Sequence, residues 1–191
     1  MDKKIVFIVA LEDELPQAEL PNLNIEYSGV GKINATYKTF EVIKNEYPDL
    51  IINYGTAGSL RKDLNGLHEV SKFLQRDMDA TPLGFKIGET PFDSVSEIDF
   101  GRRGLSCSTG DSFVTTPPLL MSDLVDMEAY AIAKVSWLSG VDFMCFKYIS
   151  DDADNEAPNN WEKNIWSGKE AFKAFISDPH FQEHIFAKER K

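Results

Sequence analysis

The segment Val141-Asp-Phe-Met-Cys-Phe-Lys-Tyr-Ile-Ser-Asp151-Asp-Ala-Asp154 is a run of strand-forming residues that ends abruptly at a cluster of carboxylates. An apolar run of this kind is typical of a strand that is buried on both faces of a sheet. Two earlier runs end in a similar way, because residues 5–10 lead into Glu12, Asp13 and Glu14, and residues 50–54 lead into Gly55-Thr-Ala-Gly58. Ligands of open α/β sheets bind beyond the carboxyl ends of the strands, so these three ends predict one shared site.

The periodicity of the first half of the chain predicts an α/β fold. β-branched and aromatic residues predict strands at residues 4–10 and 50–54, with the turn of residues 55–58 after the second. Between them, residues 34–47 predict a helix with an apolar stripe of Ile33, Tyr37 and Phe40 at three- and four-residue steps. Strand, helix and strand in succession predict a right-handed crossover and a parallel sheet.

The second half continues this alternation. Residues 105–109 and 142–150 predict strands, and residues 126–138 predict a helix rich in alanine. A last helix is predicted from Asn159 or Asn160, with Trp161 in its apolar stripe. Residues 59–101 are interrupted by Gly, Pro and Asp, and within them only residues 68–74 predict a strand. No repeat or linker divides the chain, so we expect residues 1–191 to form a single domain.

The composition is that of a globular protein with an excess of negative charge. Hydrophobic residues make up 42% of the chain, and the formal net charge is -11. A nucleic-acid-binding surface needs a basic stripe, so we expect no nucleic-acid partner. The first apolar run spans about six residues without a cleavage site, and no run approaches the roughly 20 residues of a membrane span. Cys107 and Cys145 both lie in apolar stretches, which favours buried thiols and a reducing, cytoplasmic location without a membrane partner.

Three carboxyl groups stand out as candidate catalytic groups. Glu14, Glu128 and Asp151 each fall at the end of, or just inside, an otherwise apolar element. Desolvation raises the pKa of a carboxyl group and a neighbouring negative charge raises it further, so such a group can act as a general acid near neutral pH. The three histidines are scattered through the chain and have no spacing typical of metal ligands, so we expect no metal.

Two glycine motifs are open to two interpretations each. Gly29-Val-Gly31-Lys32 opens a predicted helix, where backbone N–H groups can hold an anion. It lacks the third glycine of a dinucleotide fingerprint and the spacing of a P-loop, which favours a plain tight turn. In residues 55–58, small side chains permit close approach either of a flat ligand or of the next helix.

Five segments together resemble the ordered motif series of the purine nucleoside phosphorylase and nucleosidase superfamily. They are Gly29-Val-Gly-Lys-Ile-Asn-Ala35, Asn53-Tyr-Gly-Thr-Ala-Gly58, Ser108-Thr-Gly-Asp-Ser-Phe113, Asp126-Met-Glu-Ala129 and Ile149-Ser-Asp-Asp-Ala-Asp154. The likeness is greatest to the 5'-methylthioadenosine/S-adenosylhomocysteine nucleosidases. It implies a three-layer nucleoside phosphorylase-like fold, with a central mixed, mostly parallel sheet flanked by helices. It also implies a homodimer that binds a small-molecule nucleoside and needs no metal or organic cofactor.

The resemblance implies a role for each matched residue. Glu14 corresponds to the acid that positions or deprotonates the attacking water, and Asp151 to the group that protonates purine N7. Met127 and Glu128 correspond to residues that hold the ribose, Glu128 through its hydroxyls. The other implied substrate contacts are Phe113 and Val114 at the base, and Thr56, Ala57 and Gly58 along the sugar and base. Asp126 and Lys147 complete the set. Lys147 stands where the nucleosidases usually carry an arginine near the ribose.

Hydrolysis and phosphorolysis are the two alternatives for such an enzyme. A phosphorylase typically carries arginines on the loop after the first strand and just before the glycine turn, where this chain has Leu11-Glu-Asp-Glu14 and Ile52-Asn-Tyr54. Carboxylates at these positions would repel phosphate, so we expect hydrolysis of the N-glycosidic bond of adenine nucleosides.

Two other readings stay open. One is a phosphorylase that uses Arg76, Arg102 or Arg103 as phosphate ligands. The other is a nucleoside-binding relative that has lost catalysis, against which the presence of Glu14, Glu128 and Asp151 argues.

Overall fold

The computed structural model describes residues 3–186. The strands of this part are β1 (Ile5–Val9), β2 (Ile25–Tyr27), β3 (Leu50–Ser59), β4 (Leu67–Gln75), β5 (Ile98–Asp99), β6 (Leu105–Thr109), β7 (Leu124–Asp126) and β8 (Asp142–Asp151). The helices are α1 (Lys32–Glu46), α2 (Ala129–Ser139), α3 (Ala157–Ile176) and α4 (Pro179–Phe186). Within residues 3–186, none of the helices has the length and apolar character needed to cross a membrane.

Strand β8, predicted from the apolar run, lies at the centre of a mixed sheet. It pairs in parallel with β3 along its length and antiparallel with β4. The sheet continues from β4 through β6 to β7 in parallel pairs, and β7 returns antiparallel to the end of β3 at Gly58 and Ser59. These five strands therefore close into a ring, which β1 and β2 extend by further parallel pairs from β3. The predicted mixed, mostly parallel sheet is confirmed.

Helices cover both sides of this sheet. One core lies under α1 and α2 and includes Val6 and Ile8 of β1, while the other lies under α3 and α4 and includes Phe7 and Val9. Successive side chains of a strand point to opposite faces, so β1 supplies both cores from one continuous apolar run. The predicted three-layer arrangement is confirmed.

Two boundaries predicted from the sequence are wrong. Residues 55–58 continue strand β3 instead of forming a turn, because they pair with β8 as far as Asp151. Asp126 is the last residue of β7 and not the start of a helix. Helix α2 begins at Ala129, whose backbone N–H donates to Oδ2 of Asp126 at 2.8 Å. Strand β7 has only three residues, which is too few for a strand to be recognised from alternating polar and apolar positions.

Helix α1 exposes the apolar stripe that predicted it. Ile33, Tyr37 and Phe40 are 82%, 68% and 56% exposed, whereas the side chains that face the core are the small residues Ala35, Thr39 and Val42. Small residues allow α1 to pack closely on the alanine-rich α2. The pattern therefore identified the helix correctly, but the stripe lies on its exposed face.

Both cysteines are buried and unpaired in the described chain, as predicted. The Cys145 thiol donates to Oδ1 of Asn53 at 3.3 Å. Burial raises the pKa of Cys145 to about 12, so this thiol is inert as a nucleophile.

Candidate active site

A cavity of about 270 Å³ opens where β1, β3, β7 and β8 reach their carboxyl ends. The structure brings ten of the predicted site residues to its wall. They are Glu14, Thr56, Ala57, Gly58, Phe113, Val114, Asp126, Met127, Glu128 and Asp151. The strand ends thus form one shared cavity, where the sequence predicted one shared site.

Glu14 is held at the cavity wall by the short 3-10 helix Glu12–Glu14, which follows β1. Its Oε1 accepts hydrogen bonds from the backbone N–H and from the hydroxyl of Thr56, both at 2.8 Å. Its Oε2 accepts only a longer bond, 3.3 Å, from the backbone N–H of Leu11 among the described residues. Hydrogen bonds of this kind stabilise a carboxylate and fix its orientation at the cavity wall.

Asp151 ends strand β8 and is almost fully buried. Its carboxylate accepts hydrogen bonds from the Ser150 hydroxyl at 2.7 Å and from the Ala153 backbone N–H at 2.9 Å. Burial raises the pKa of Asp151 above its ordinary value despite these bonds. A carboxyl group that keeps its proton to higher pH is suited to the role of general acid.

Two glycines of β3 make room for charged side chains. A Cβ at Gly58 would lie 2.7 Å from Oδ1 of Asp151, and a Cβ at Gly55 would lie 3.1 Å from Nζ of Lys147. The sequence left open whether these small residues admit a flat ligand or the next helix. At Gly55 and Gly58, the atoms named above are not those of a neighbouring helix. The two glycines let the carboxylate and the ammonium group approach the strand.

Glu128 links the cavity to helix α1. Its Oε1 accepts a hydrogen bond of 2.8 Å from the backbone N–H of Gly31, next to the first residue of α1. Burial, with the negative charge of Asp126 beside it, raises the pKa of Glu128 to about 7. A group with this pKa is divided between its charged and neutral forms near neutral pH.

The glycine motif before α1 already holds carboxylates of the same chain. Besides Gly31, the backbone N–H of Lys32 donates to Oδ1 of Asp111 at 2.8 Å. These N–H groups are thus used inside the protein, which agrees with the interpretation of the motif as a structural turn.

Lys147, the remaining predicted substrate contact, is not among the residues that line the cavity. Its ammonium group is buried beneath the wall and lies 2.9 Å from Oδ2 of Asp126. Burial alone would lower the pKa of Lys147, but Asp126 and the other acidic groups around it together outweigh burial and raise that pKa. At Asp126 the ion pair and the hydrogen bonds from Thr109 and Ala129 together outweigh burial and lower its pKa, so both groups are charged.

Arg76 lines the cavity, but its guanidinium group is hydrogen-bonded to backbone carbonyls. Its terminal nitrogens donate to the carbonyls of Ser108, Gly110, Ser112 and Asp126. The guanidinium group therefore braces the loop after β6.

Neither of the other two arginines considered as phosphate ligands lines the cavity. Arg102 instead pairs with Glu69 at 3.0 Å.

Trp161 is a site residue that sequence reasoning missed. It lines the cavity from helix α3, and its indole N–H donates to the hydroxyl of Thr56 at 2.8 Å. The sequence placed Trp161 in the apolar stripe of this helix, and nothing in that pattern separates a tryptophan at a site from one in a core. Among residues 3–186, no three His, Cys, Asp or Glu side chains are arranged to hold a metal ion.

Comparison with solved structures identifies the fold. A futalosine hydrolase mutant of Helicobacter pylori matches with a TM-score of 0.83 at 20% identity, over 91% of this chain and 96% of that one. An S-adenosylhomocysteine nucleosidase of Streptococcus pyogenes matches with a TM-score of 0.81 at 23% identity, over 96% and 97% of the two chains. The fold is therefore that of the nucleoside phosphorylase and nucleosidase superfamily.

Sequence relatives narrow this to a family. A 5'-methylthioadenosine/S-adenosylhomocysteine nucleosidase of Shewanella halifaxensis is 30% identical over 72% of each chain. One of Staphylococcus aureus is 32% identical over 80% of each chain. A scan against family models gave no match. The chain belongs to the 5'-methylthioadenosine/S-adenosylhomocysteine nucleosidase family, which confirms the resemblance seen in its motifs.

Proposed function

We propose that this protein hydrolyses the N-glycosidic bond of adenine nucleosides, with 5'-methylthioadenosine and S-adenosylhomocysteine as the first substrates to test. The observation that carries the proposal is the meeting of Glu14, Glu128 and Asp151 on the wall of one cavity of about 270 Å³. These groups come from segments far apart in the sequence. A shared cavity lets all three act on one small molecule.

The proposed reaction uses each carboxyl group once. Asp151 donates its proton to N7 of the purine while the bond between C1' and N9 breaks, and the bonding electrons leave with the base. Positive charge then develops on the ribose, as in glycoside hydrolysis, and nearby carboxylates stabilise it. Water held at Glu14 attacks C1' and gives its proton to Glu14, while Glu128 accepts hydrogen bonds from the ribose hydroxyls. The products are free adenine and the 5'-substituted ribose.

Charge at the cavity favours water over phosphate as the nucleophile. Four carboxyl groups line the cavity, and the one cationic side chain among its lining residues, Arg76, donates to four backbone carbonyls. The backbone N–H groups of Gly31 and Lys32 donate to Glu128 and Asp111. A phosphate ion would meet repulsion without a ready partner.

The test is a panel of nucleosides incubated with the protein with and without phosphate, with free base measured by chromatography. The panel contains 5'-methylthioadenosine, S-adenosylhomocysteine, adenosine and inosine. We expect release of adenine without phosphate, at a rate that added phosphate does not change. A strict requirement for phosphate would establish a phosphorylase instead.

We propose further that the protein is a homodimer that assembles through helix α1. The proposal is supported by Ile33, Tyr37 and Phe40, which form an exposed apolar stripe on this helix. Contiguous apolar surface of this kind marks interfaces between proteins. A two-fold dimer would bury the stripe against its own copy. The cytoplasmic location stays a prediction from the sequence.

A further inference from the structure

Trp161, Thr56 and Glu14 form a chain of hydrogen bonds at the cavity. The indole N–H of Trp161 donates to Oγ1 of Thr56 at 2.8 Å. The Thr56 hydroxyl in turn lies 2.8 Å from Oε1 of Glu14, which also accepts the Thr56 backbone N–H at 2.8 Å. The chain therefore joins helix α3 to the carboxylate that we assign as the base.

The chemistry of the three groups allows these hydrogen bonds to run in only one direction, from Trp161 through Thr56 to Glu14. An indole N–H can only donate, so the Thr56 oxygen must accept at that end. The hydroxyl has a single proton, and an ionised carboxylate can only accept, so that proton is directed at Glu14. Without the indole, the hydroxyl of Thr56 can rotate toward other acceptors. Trp161 thus selects the rotamer of Thr56 that bonds Glu14.

The two oxygens of Glu14 are consequently unequal. Oε1 accepts two short hydrogen bonds, both from Thr56, whereas Oε2 accepts one longer bond, 3.3 Å, from the Leu11 backbone N–H. A proton that arrives at Glu14 therefore goes to Oε2. The orientation of Oε2 depends on how firmly Oε1 is held.

Helix α3 braces the other end of the cavity as well. Asn164 lies three residues after Trp161, on the same face of the helix. Its side-chain amide donates to the carbonyl of Ser150 at 2.8 Å, next to Asp151. The same face of α3 therefore contacts the surroundings of both the assigned base and the assigned acid.

We propose that Trp161 is a positioning residue for catalysis, which acts through the Thr56 hydroxyl to fix Glu14 with Oε2 turned to the attacking water. This inference rests on the hydrolytic function proposed above. Trp161 acts through its indole N–H, and its ring alone is not sufficient. The predicted effect is on kcat, because a misdirected base slows the chemical step without removing a substrate contact.

The test is the Trp161→Phe variant, which keeps an aromatic ring and removes the N–H group. We expect kcat to fall roughly tenfold, as for the loss of one hydrogen bond, with KM changed less than about twofold. Trp166→Phe is the matched control, because Trp166 lies on the same helix and is 62% exposed. It should keep the kcat of the wild type. Equal kcat in Trp161→Phe and the wild type would overturn the inference and leave the proposed function standing.

A double-mutant cycle separates positioning from a general structural effect. In a Thr56→Val background the hydroxyl is gone, so Trp161→Phe should cause no further loss of kcat. In a Thr56→Ser background, which keeps a hydroxyl, Trp161→Phe should again cost roughly tenfold. A loss of the same size in the valine background would show that Trp161 acts through packing, and would overturn the inference. A wild-type protein that releases no base would overturn the proposed function and this inference together.

Discussion

The ammonium nitrogen of Lys147 lies 2.9 Å from a carboxylate oxygen of Asp126, and the two side chains are only 2% and 1% exposed. Asp126 is also bonded by the Thr109 hydroxyl and by the backbone N–H of Ala129. This network ties β6, β7, β8 and the start of α2 together beneath the cavity. The charges of Lys147 and Asp126 compensate each other inside the protein, so this network supports the cavity wall. The other carboxyl groups of the cavity are then available to the substrate.

Lys147→Met should destabilise the protein strongly, because it leaves the Asp126 carboxylate buried without its partner. Removing one member of a buried pair typically costs about 3–5 kcal/mol in the free energy of unfolding. Lys72→Met is the matched control, since Lys72 pairs with Glu97 at 2.8 Å with both side chains well exposed, and it should cost less than about 1 kcal/mol. Urea unfolding measures both. Similar losses in the two variants would contradict the structural role assigned to the buried pair.

Asp151→Asn should lower kcat by roughly 10²-fold or more, because the variant can no longer protonate the leaving base. Asp152→Asn is the control, since Asp152 is the next residue and is exposed. It should leave kcat unchanged. Steady-state assays of adenine release measure both, and nucleoside binding to Asp151→Asn should persist. Full turnover in Asp151→Asn would remove this residue from the acid role, and wild-type protein that binds nucleosides without turnover would identify a binding protein.

Glu128→Gln should change how stability depends on pH. The pKa of Glu128 is raised from 4.5 to about 7 in the folded protein, so between these values the folded state keeps a proton that the unfolded state has lost. Stability from this group is therefore present at low pH, falls as pH rises toward about 7, and is constant above it. Glutamine does not titrate and can still accept the Gly31 N–H bond.

The measurement for Glu128 is the melting temperature at about pH 5 and pH 8. The wild type should lose more stability across this interval than Glu128→Gln does. The same substitution at exposed Glu162 should leave the wild-type difference intact. If the wild type and Glu128→Gln show the same dependence of melting temperature on pH, the pKa of Glu128 is not raised by folding.

The sequence predicted the parts of the site that depend on local pattern. Glu14 follows one strand and Asp151 ends another, and the apolar runs of both strands make them plain in the sequence. Glu128 lies in a motif at the start of a helix. Trp161 was missed, because its bond to Thr56 joins residues 105 positions apart, and no local pattern records such a contact. The ion pair of Lys147 is a similar case, since only the three-dimensional structure reveals that Asp126 holds this side chain beneath the wall.

Helix α1 illustrates a different limit. The recurrence of Ile33, Tyr37 and Phe40 predicted the helix correctly, yet these side chains face outward in the single chain. Periodicity reports that a stripe has to be buried and says nothing about which surface covers it. A partner subunit can satisfy the pattern as well as a core does, so the stripe alone does not distinguish the two.

Tyr37→Glu should therefore convert the protein from a dimer to a monomer, because it places a charge in the apolar stripe that we propose to be buried between two copies. Charge in the centre of an interface costs desolvation without a partner. Trp166→Glu is the control: Trp166 is similarly exposed but lies on α3, which packs on the opposite side of the sheet from α1. Sedimentation velocity over a range of concentrations measures the assembly of each protein.

We expect dimers for the wild type and Trp166→Glu and monomers for Tyr37→Glu. A monomeric wild type, or a Tyr37→Glu dimer as stable as the wild type, would show that α1 is not the interface.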